Sequence, residues 1–185
     1  MKKTQGFTLF ELLISIAILG IVTAIAMPNL SDFIVKMRVD GEISQLQRMI
    51  LTARSGAVNV EQNVTVCPLN SSNTCQNNWK GEITVFTDID NDGVYEAGDN
   101  EERIAVKDAN TTNDTLIFNH SRVTYSPDGT LGGFYQGTFR YCPEHYNDYS
   151  RGITVSSTSG RVYTSLDTNS DGKEEDRNGT VITCL

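Results

Sequence analysis

Hydrophobic residues are concentrated in a long run over residues 7–28, in which Glu11 is the only charged side chain. Lys2 and Lys3 precede this run. A helix of about 22 residues, rising ~1.5 Å per residue, extends roughly 33 Å, which is enough to cross a hydrocarbon core of about 30 Å. The pattern therefore predicts a membrane-spanning helix, with the lysines on the cytoplasmic side and all later residues across the membrane.

Beyond Pro28, apolar positions recur every three or four residues with polar residues between them, as in an amphipathic helix. We expect one helix from Phe7 to near Val58, bent near Pro28 because proline removes a backbone hydrogen bond; Gly20 is a second place where it can loosen. Over residues 29–60 the apolar face should pack on a sheet, since a free-standing helix would leave it without a core. That face consists of Leu30, Phe33, Ile34, Met37, Ile43, Leu46, Ile50, Ala53 and Ala57.

From Asn63 onward, short β-prone runs alternate with clusters of Gly, Asn, Asp and Ser. Nine runs at hairpin spacing imply one or two antiparallel sheets packed on the long N-terminal helix, which is an α+β fold. The β-rich globular domain then covers residues 61–185. The predicted strands are residues 64–67, 82–87, 103–106, 115–118, 122–125, 138–141, 152–156, 161–165 and 181–184.

Glu11 does not fit two ordinary interpretations of the apolar run. A signal peptide ends at a small-residue cleavage site, for which Ala24, Ala26 and Met27 would loosely serve, but it has no place for a carboxylate at its head. A plain membrane anchor has no use for one either, because a charge at depth costs roughly 2.5–3.5 kcal/mol. A carboxylate with no partner in its own helix therefore requires a partner from another molecule.

The residues at the start of the run resemble the class III leader of type IV prepilins and type II secretion pseudopilins: Gly6-Phe7-Thr8-Leu9-Phe10-Glu11. The resemblance implies that prepilin peptidase removes residues 1–6 as a leader, cutting between Gly6 and Phe7, and methylates the new amine of Phe7. It also implies that Glu11 pairs with the N-terminal ammonium of the neighbouring subunit. Because losing one partner of a buried ion pair strands a charge, this pair should set the register of each incoming subunit.

Three later segments are similar to the FimT and FimU minor pilins and the GspH pseudopilins. They are Leu51-Thr52-Ala53-Arg54-Ser55, Val64-Thr65-Val66-Cys67-Pro68 with a second cysteine soon after, and Ile153-Thr154-Val155-Ser156 followed by Ser159-Gly160-Arg161-Val162. The resemblance implies a type IV pilin-like fold and a minor pilin of a type IV pilus. Such a subunit stays in the inner membrane as a single-pass protein with a periplasmic domain, until it joins other pilins to prime, cap or modify the filament. A GspH-like pseudopilin of type II secretion is the close alternative.

Four cysteines, Cys67, Cys75, Cys142 and Cys184, lie in the part of the chain predicted to be exported. An even number in an oxidising compartment favours two disulfides, and three pairings are possible. Pairing Cys67 with Cys75 would close a short loop, and pairing Cys142 with Cys184 would attach the C-terminal segment to a strand; we favour this pattern. A zinc site using Cys142 and His145 has suitable local spacing but requires two free thiols.

A first acidic loop, residues 88–99, matches the ligand order of an EF-hand calcium loop. Aspartates occupy its first, third, fifth and twelfth positions, and Gly93 occupies the sixth. Strands are predicted on either side instead of helices, and a solvated hairpin turn is the alternative. The candidate calcium ligands are Asp88, Asp90, Asp92, the backbone oxygen of Val94, Glu96 through a water, and Asp99.

A second acidic loop, residues 167–178, repeats the opening of this pattern, with Lys173 inside it and Asn178 in the last ligand position. A polar turn is again the alternative. Calcium is the one cofactor that the sequence indicates, none is required, and a calcium-responsive adhesive tip is one resulting hypothesis. The weaker candidate ligands are Asp167, Asn169, Asp171 and Asp176.

The net charge of −8, which becomes −10 once Lys2 and Lys3 leave with residues 1–6, argues against nucleic acid as a partner. Some FimT-type pilins bind DNA through a Gly-Arg-x-Arg motif near the C-terminus. In the corresponding segment here, Gly160-Arg161-Val162-Tyr163, a tyrosine replaces the second arginine. Arg161 is therefore the candidate DNA contact, and a packing or salt-bridge role is the alternative.

The sequence contains no signature of an enzyme and offers no catalytic residue. His120 and His145 are its only histidines, and no nucleophile elbow, P-loop or dinucleotide fingerprint occurs. Six aromatic residues cluster in one segment, where they fit either a contact surface for another pilin or inward-facing strand positions. They are Phe134, Tyr135, Phe139, Tyr141, Tyr146 and Tyr149.

Overall fold

The fold begins with one helix, α1 (Leu9–Val60, 52 residues), in a computed structural model that describes residues 6–157 and 159–184. The chain forms two compact units, of which the first ends at Met37 and the second begins at Arg38. Among the described residues, no single helix is long and apolar enough to cross a membrane. The segments Leu9–Ile25 and Leu30–Val60, which meet at a bend of 47°, pass this test of length and composition only when they are taken together. The interval between the two segments contains Pro28, near which the sequence predicts a kink.

The apolar face predicted for α1 is buried only in its second half. Ile43, Leu46, Ile50, Ala53 and Ala57 are buried as predicted. The prediction is wrong for Leu30, Phe33, Ile34 and Met37, which are all more than half exposed. These four belong to the N-terminal unit, whose described residues include no strand, so no sheet within that unit covers them. Val39 and Met49, which the periodic pattern omits, are buried instead.

Eight strands follow α1 and form two antiparallel four-stranded sheets. They are β1 (Val64–Pro68), β2 (Ile83–Thr87), β3 (Arg103–Lys107), β4 (Thr115–Ile117), β5 (Val123–Tyr125), β6 (Gly137–Cys142), β7 (Arg151–Val155) and β8 (Val162–Thr164). The strand order is β3-β2-β1-β5 in the first sheet and β4-β6-β7-β8 in the second. A 3-10 helix, Asn147–Tyr149, precedes β7.

Every residue of β1, β2 and β5 is buried, so these three of the four strands of the first sheet are covered on both faces. The second half of α1 supplies one cover, and Gly56 allows the close approach. A Cβ at this position would lie 3.2 Å from Ile104 Cδ1 and 3.7 Å from Val64 Cγ2. The helix is thus seated on β1 and β3, as the amphipathic pattern predicts.

Three ion pairs join the start of this sheet-packed half of α1 to the β-rich part. Arg38 Nε lies 3.1 Å from Asp114 Oδ2, and Glu42 Oε2 lies 2.9 Å from Lys107 Nζ. The third pair links Asp40 to Arg151, at 3.4 Å. Asp114 also accepts a hydrogen bond from the Tyr141 hydroxyl. Burial alone would raise the pKa of Asp114, but its hydrogen bonds and Arg38 together hold that pKa below its usual value.

Aromatic side chains pack the loop between β1 and β2 against the second sheet. Trp79 is 2% exposed and meets Phe139 edge-to-face at 4.7 Å, while Phe118 stacks on Phe139 at 3.8 Å between ring centroids. The indole nitrogen donates to the His120 carbonyl, so the buried ring has its polar atom satisfied. Phe139 and Tyr141 are therefore core residues of β6, as one of the two open interpretations proposed.

The ninth predicted strand, residues 181–184, is wrong. Val181 forms only an isolated bridge with Glu175, and the following described residues are not in a strand. Side-chain packing and a disulfide hold this segment in place of a ladder, because Ile182 is buried against Gly152 and Cys184 is bonded to Cys142.

Candidate functional site

The residues at the predicted cleavage position precede α1 and are exposed. Gly6 and Phe7 are outside the helix, and Phe7 is 91% exposed. The rest of the predicted leader lies outside the described residues. The bond between Gly6 and Phe7 is therefore exposed and lies outside regular secondary structure.

Glu11, the third residue of α1, takes part in capping the N-terminus of the helix. Its Oε2 accepts hydrogen bonds from Thr8 N at 2.9 Å and Thr8 Oγ1 at 3.0 Å, and Glu11 N donates back to Thr8 Oγ1 at 3.2 Å. This reciprocal arrangement is a capping box, and the spacing Thr8-x-x-Glu11 is its sequence signature. The expectation that Glu11 has no partner in its own helix is therefore wrong for hydrogen bonding, because it overlooked that signature. The ion pair with a neighbouring ammonium stays a prediction.

The four cysteines form two disulfides. Cys67 is bonded to Cys75 and Cys142 to Cys184, with Cα–Cα distances of 5.5 Å and 6.1 Å. This is the favoured one of the three pairings. Since Cys142 has no free thiol, the alternative of a zinc site with His145 is excluded.

The first acidic loop brings together only part of its predicted ligand set. One carboxylate oxygen each from Asp88, Asp90 and Glu101 lie within 4.8 Å of one another. Asp88 is fully buried, accepts a 2.6 Å hydrogen bond from Thr65 Oγ1, and lies 3.9 Å from Arg122 Nη1. An arginine therefore already neutralises the most buried carboxylate of the group.

The other predicted ligands of the first acidic loop lie apart from that group. Asp92 caps the turn by accepting from Val94 N at 2.7 Å. Glu96 and Asp99 form an exposed turn of their own, in which the Asp99 charge raises the pKa of Glu96. Glu101, which follows the loop, takes the place that the pattern assigned to Asp99. A twelve-residue template could not find it.

Glu101 closes the first acidic loop from the strand side. Its two oxygens accept hydrogen bonds from Ile89 N at 2.9 Å and from Glu96 N at 2.8 Å. Only 5% of the residue is exposed, and burial raises the pKa of its carboxyl group.

The second acidic loop has the same construction. Asp167, Asp171 and Glu175 each place one carboxylate oxygen within 4.8 Å of the others. Glu175 Oε2 accepts from Thr168 N at 2.9 Å and Thr168 Oγ1 at 2.7 Å, as Glu101 accepts from Ile89.

Two of the four weaker candidate ligands thus belong to this group. Asn169 lies beside it and donates to Asp171 Oδ2 at 3.2 Å. Asp176 instead caps the next turn, accepting from Asn178 N and Thr180 N. Glu175 was missed, although it occupies the ninth position of the second acidic loop, which is a ligand position in an EF-hand loop.

Arg161 lies in a small basic and aromatic patch with Tyr163 and Arg177. The Arg177 guanidinium stands over the Tyr163 ring at 4.3 Å, and both arginines lower the pKa of the Tyr163 hydroxyl, Arg177 more strongly. The patch is exposed, on a chain of net charge −8. We do not propose nucleic-acid binding from it, because affinity for DNA depends on neutralising many phosphates.

The aromatic segment divides between core and surface. Phe139 and Tyr141 are buried, whereas Phe134 is 87% exposed. Tyr146 and Tyr149 stack on each other at 5.9 Å and are half-buried. The core interpretation is therefore confirmed for Phe139 and Tyr141, whereas a contact surface for another pilin at Phe134, Tyr146 and Tyr149 stays a prediction.

A long helix that is apolar and exposed in its first half, seated on antiparallel sheets in its second, defines a pilin-like protein. Residues 1–27 match the family model described as the prokaryotic N-terminal methylation motif. Residues 42–160 match the model described as type II transport protein GspH, and the chain belongs to this family.

Similarity to curated proteins concerns a short part of the chain. A fimbrial protein of Pseudomonas aeruginosa is 40% identical over 55 residues, which is 30% of this chain and 36% of that protein. A type IV major alpha-pilin of Moraxella bovis is 51% identical over 47 residues, or 24% of this chain and 30% of that protein. A probable minor fimbrial protein of Dichelobacter nodosus is 39% identical over 62 residues, or 34% and 35%. The chain thus spans about a third of the length of the curated relatives that it matches.

The fold is similar to that of a solved minor pilin. The crystal structure of the type IV minor pilin FimU of Pseudomonas aeruginosa aligns with a TM-score of 0.53 at 20% identity, covering 71% of this chain and 90% of that one. The predicted α+β, type IV pilin-like fold is therefore confirmed.

Proposed function

We propose that the chain is a minor pilin of a type IV pilus, processed by prepilin peptidase and inserted into the filament by its N-terminal helix. The observation that carries the proposal is the segment from Gly6 to Glu11, which combines an exposed Gly-Phe bond with an acidic residue at the head of an apolar helix. The matched N-terminal methylation motif and the similarity to fimbrial proteins support it.

The exposed apolar side chains of residues 7–34 have two successive partners under this proposal. Before assembly they contact the lipid of the inner membrane, with the β-rich part in the periplasm, an oxidising compartment suited to the two disulfides. In the filament they pack against the helices of other pilins. Prepilin peptidase, major pilins and other minor pilins are thus the proposed partners.

Glu11 is the proposed register residue. Both hydrogen bonds that its side chain accepts from Thr8 end at Oε2, and Thr8 stays with the chain when Gly6 is removed. The carboxylate is therefore held at the first turn of α1 while it keeps its negative charge. The ammonium of Phe7 on a neighbouring subunit, methylated after cleavage, supplies the opposite charge.

Mass spectrometry and a charge-neutral variant test this proposal. We expect the mature chain to begin at N-methylated Phe7. Two variants are compared, Glu11→Ala and Glu11→Gln, of which the second keeps an oxygen that can accept hydrogen bonds but has no charge. Both should be exported and cleaved, yet sheared filaments should contain them at about a tenth of the normal level or less. A mature N-terminus elsewhere, or normal incorporation of both variants, would contradict the proposal.

A GspH-like pseudopilin of type II secretion is the second candidate, favoured by the family model that matches residues 42–160. Deleting the gene from the host distinguishes the two. Loss of surface filaments with normal secretion of exported enzymes supports the minor pilin that primes or caps a pilus. The reverse result supports the pseudopilin.

A further inference from the structure

The second acidic loop lacks the internal positive charge that neutralises the first. In the first loop, the Arg122 guanidinium lies 3.9 Å from Asp88. Among the described residues, no basic nitrogen lies within 4.0 Å of a carboxylate oxygen of Asp167, Asp171 or Glu175. Three carboxylates that converge to within 4.8 Å therefore repel one another without a counterion from the chain.

Glu175 gives an independent indication of a ligand. The residue is 4% exposed, and Thr168 satisfies its Oε2 twice. Its Oε1 is sealed from solvent and accepts no hydrogen bond from the described residues. Leaving a buried carboxylate oxygen unpartnered is costly, because its hydration is lost without replacement. A cation bound to the group removes that cost.

The lysine inside the loop does not supply the missing charge. Lys173 Nζ lies 3.3 Å from Asp148 Oδ1, so its ammonium is engaged outside the group. Arg151, the next basic residue toward the sheet, is engaged by Glu174 at 2.8 Å and by Asp40 at 3.4 Å. Lys173 and Arg151 are thus committed to other carboxylates.

We propose that Asp167, Asp171 and Glu175 bind a Ca²⁺ ion, with the amide oxygen of Asn169 as a further donor. All of these donors are oxygens, which hard cations prefer. Calcium accepts six to eight oxygens in irregular arrangements, whereas magnesium demands a near-octahedral set and retains several waters. A loop that joins carboxylates from a turn and from a β-bridge suits the less demanding ion.

The ion would hold the C-terminal segment to the second sheet. Glu175 forms isolated bridges with Leu166 on one side and Val181 on the other. Fixing its side chain therefore fixes the connection from β8 to Ile182. Extracellular calcium modules bind with dissociation constants of about 10⁻⁴–10⁻³ M, the range that we expect here. The site depends only on these residues, so it is independent of the filament that the chain joins.

Calorimetry on the full-length chain in detergent tests the proposal. The protein is first treated with a chelator and is then titrated with CaCl₂ and, in a separate experiment, with MgCl₂. We expect one saturable calcium site and at least about tenfold weaker binding of magnesium. Asp171→Asn, at an exposed position, should weaken calcium binding about tenfold or more, and Glu175→Gln should abolish it. Asp92→Asn, the equivalent position of the first acidic loop, is the matched control and should bind calcium as the unaltered chain does.

Thermal unfolding with and without calcium provides the second readout, because an ion that binds only the folded state raises the melting temperature. The rise should occur in the unaltered chain and in Asp92→Asn, should be smaller in Asp171→Asn, and should be lost in Glu175→Gln. Absence of saturable heat up to about 10 mM calcium would overturn the proposal. Binding that is lost in Asp92→Asn but kept in Asp171→Asn would overturn it too, by assigning the ion to the first loop.

Discussion

The two acidic loops share a backbone conformation but differ in how their charges are neutralised. In each, the first aspartate accepts from the amide of a glycine five residues later, Asp88 from Gly93 at 3.3 Å and Asp167 from Gly172 at 3.0 Å. Both glycines have positive φ, 79° and 88°. The first loop lies against the half-buried Arg122, whereas no basic nitrogen in the described part of the chain lies within 4.0 Å of the three carboxylates of the second. A pattern of alternating carboxylates therefore specifies a turn, while the residues packed around it decide whether a cation is needed.

The first aspartate of the first loop is also more deeply buried than the aspartates of the second. Asp88 is fully buried and bonded to Thr65, whereas Asp167 and Asp171 are exposed. An ion could reach the second loop from solvent without opening the fold. In the first loop, the Arg122 side chain occupies the approach to Asp88 and contacts Gly93.

The largest effect on this comparison is expected from Arg122→Met. The change removes the countercharge of Asp88 and a 2.8 Å hydrogen bond to the Tyr135 hydroxyl, so it should lower the free energy of unfolding by about 3 kcal/mol. Arg177→Met, an arginine exposed near the second loop, is the control and should cost less than about 1 kcal/mol. Urea unfolding measures both, and equal losses would show that Arg122 is not the countercharge that distinguishes the first loop.

An intermediate effect is expected from adding one methyl group to each loop. Gly172→Ala should cost about 1 kcal/mol, because alanine is strained at positive φ and nothing lies within 4 Å of the new Cβ. Gly93→Ala should cost about 2 kcal/mol, since its Cβ would also lie 2.8 Å from Arg122 Cζ and displace the guanidinium. The same unfolding experiment compares them, and a larger loss for Gly172→Ala would reverse the proposed difference.

The smallest effect concerns pH and Glu101. Burial raises its folded-state pKa above the reference value of 4.5, so the folded protein binds this proton more tightly than the unfolded chain. The resulting stability is present below the unfolded pKa and is lost as the pH rises through the folded pKa. Glu101→Gln should therefore lose less stability than the unaltered chain between about pH 4 and 7. Glu102→Gln, an exposed neighbour, controls for the lost charge; parallel pH curves for the unaltered chain and Glu101→Gln would contradict the assignment.

Local patterns were sufficient to predict most of the fold. The three- and four-residue spacing of Ile43, Leu46 and Ile50 identifies the buried face of α1 because a helix presents those positions on one side. The same periodicity misassigns Leu30 and Phe33, since period alone cannot distinguish a face covered by the same chain from one left for other molecules. Val181 was misassigned to a strand because β-prone residues also occur where a disulfide replaces the ladder.

The candidate sites were harder to predict because they depend on contacts between distant residues. Asp88 and Arg122 are far apart in sequence, and no spacing rule places a guanidinium beside a particular carboxylate. Glu101 lies beyond the twelve residues of the first loop, just before β3. Glu175 lies at the ninth position of the second loop, a ligand position of the pattern, but the prediction chose Asp176 instead. The Thr8–Glu11 capping box, in contrast, is local and follows a known spacing, so it was predictable from the sequence although the prediction overlooked it.

The bond between Cys142 and Cys184 encloses β7, β8 and the second acidic loop in one covalent ring. A protease that cut the chain at an exposed turn such as Ser170 would leave both fragments attached to the same subunit. Such a cut would open the loop without releasing the C-terminal piece, so a nicked chain would remain one covalently connected molecule.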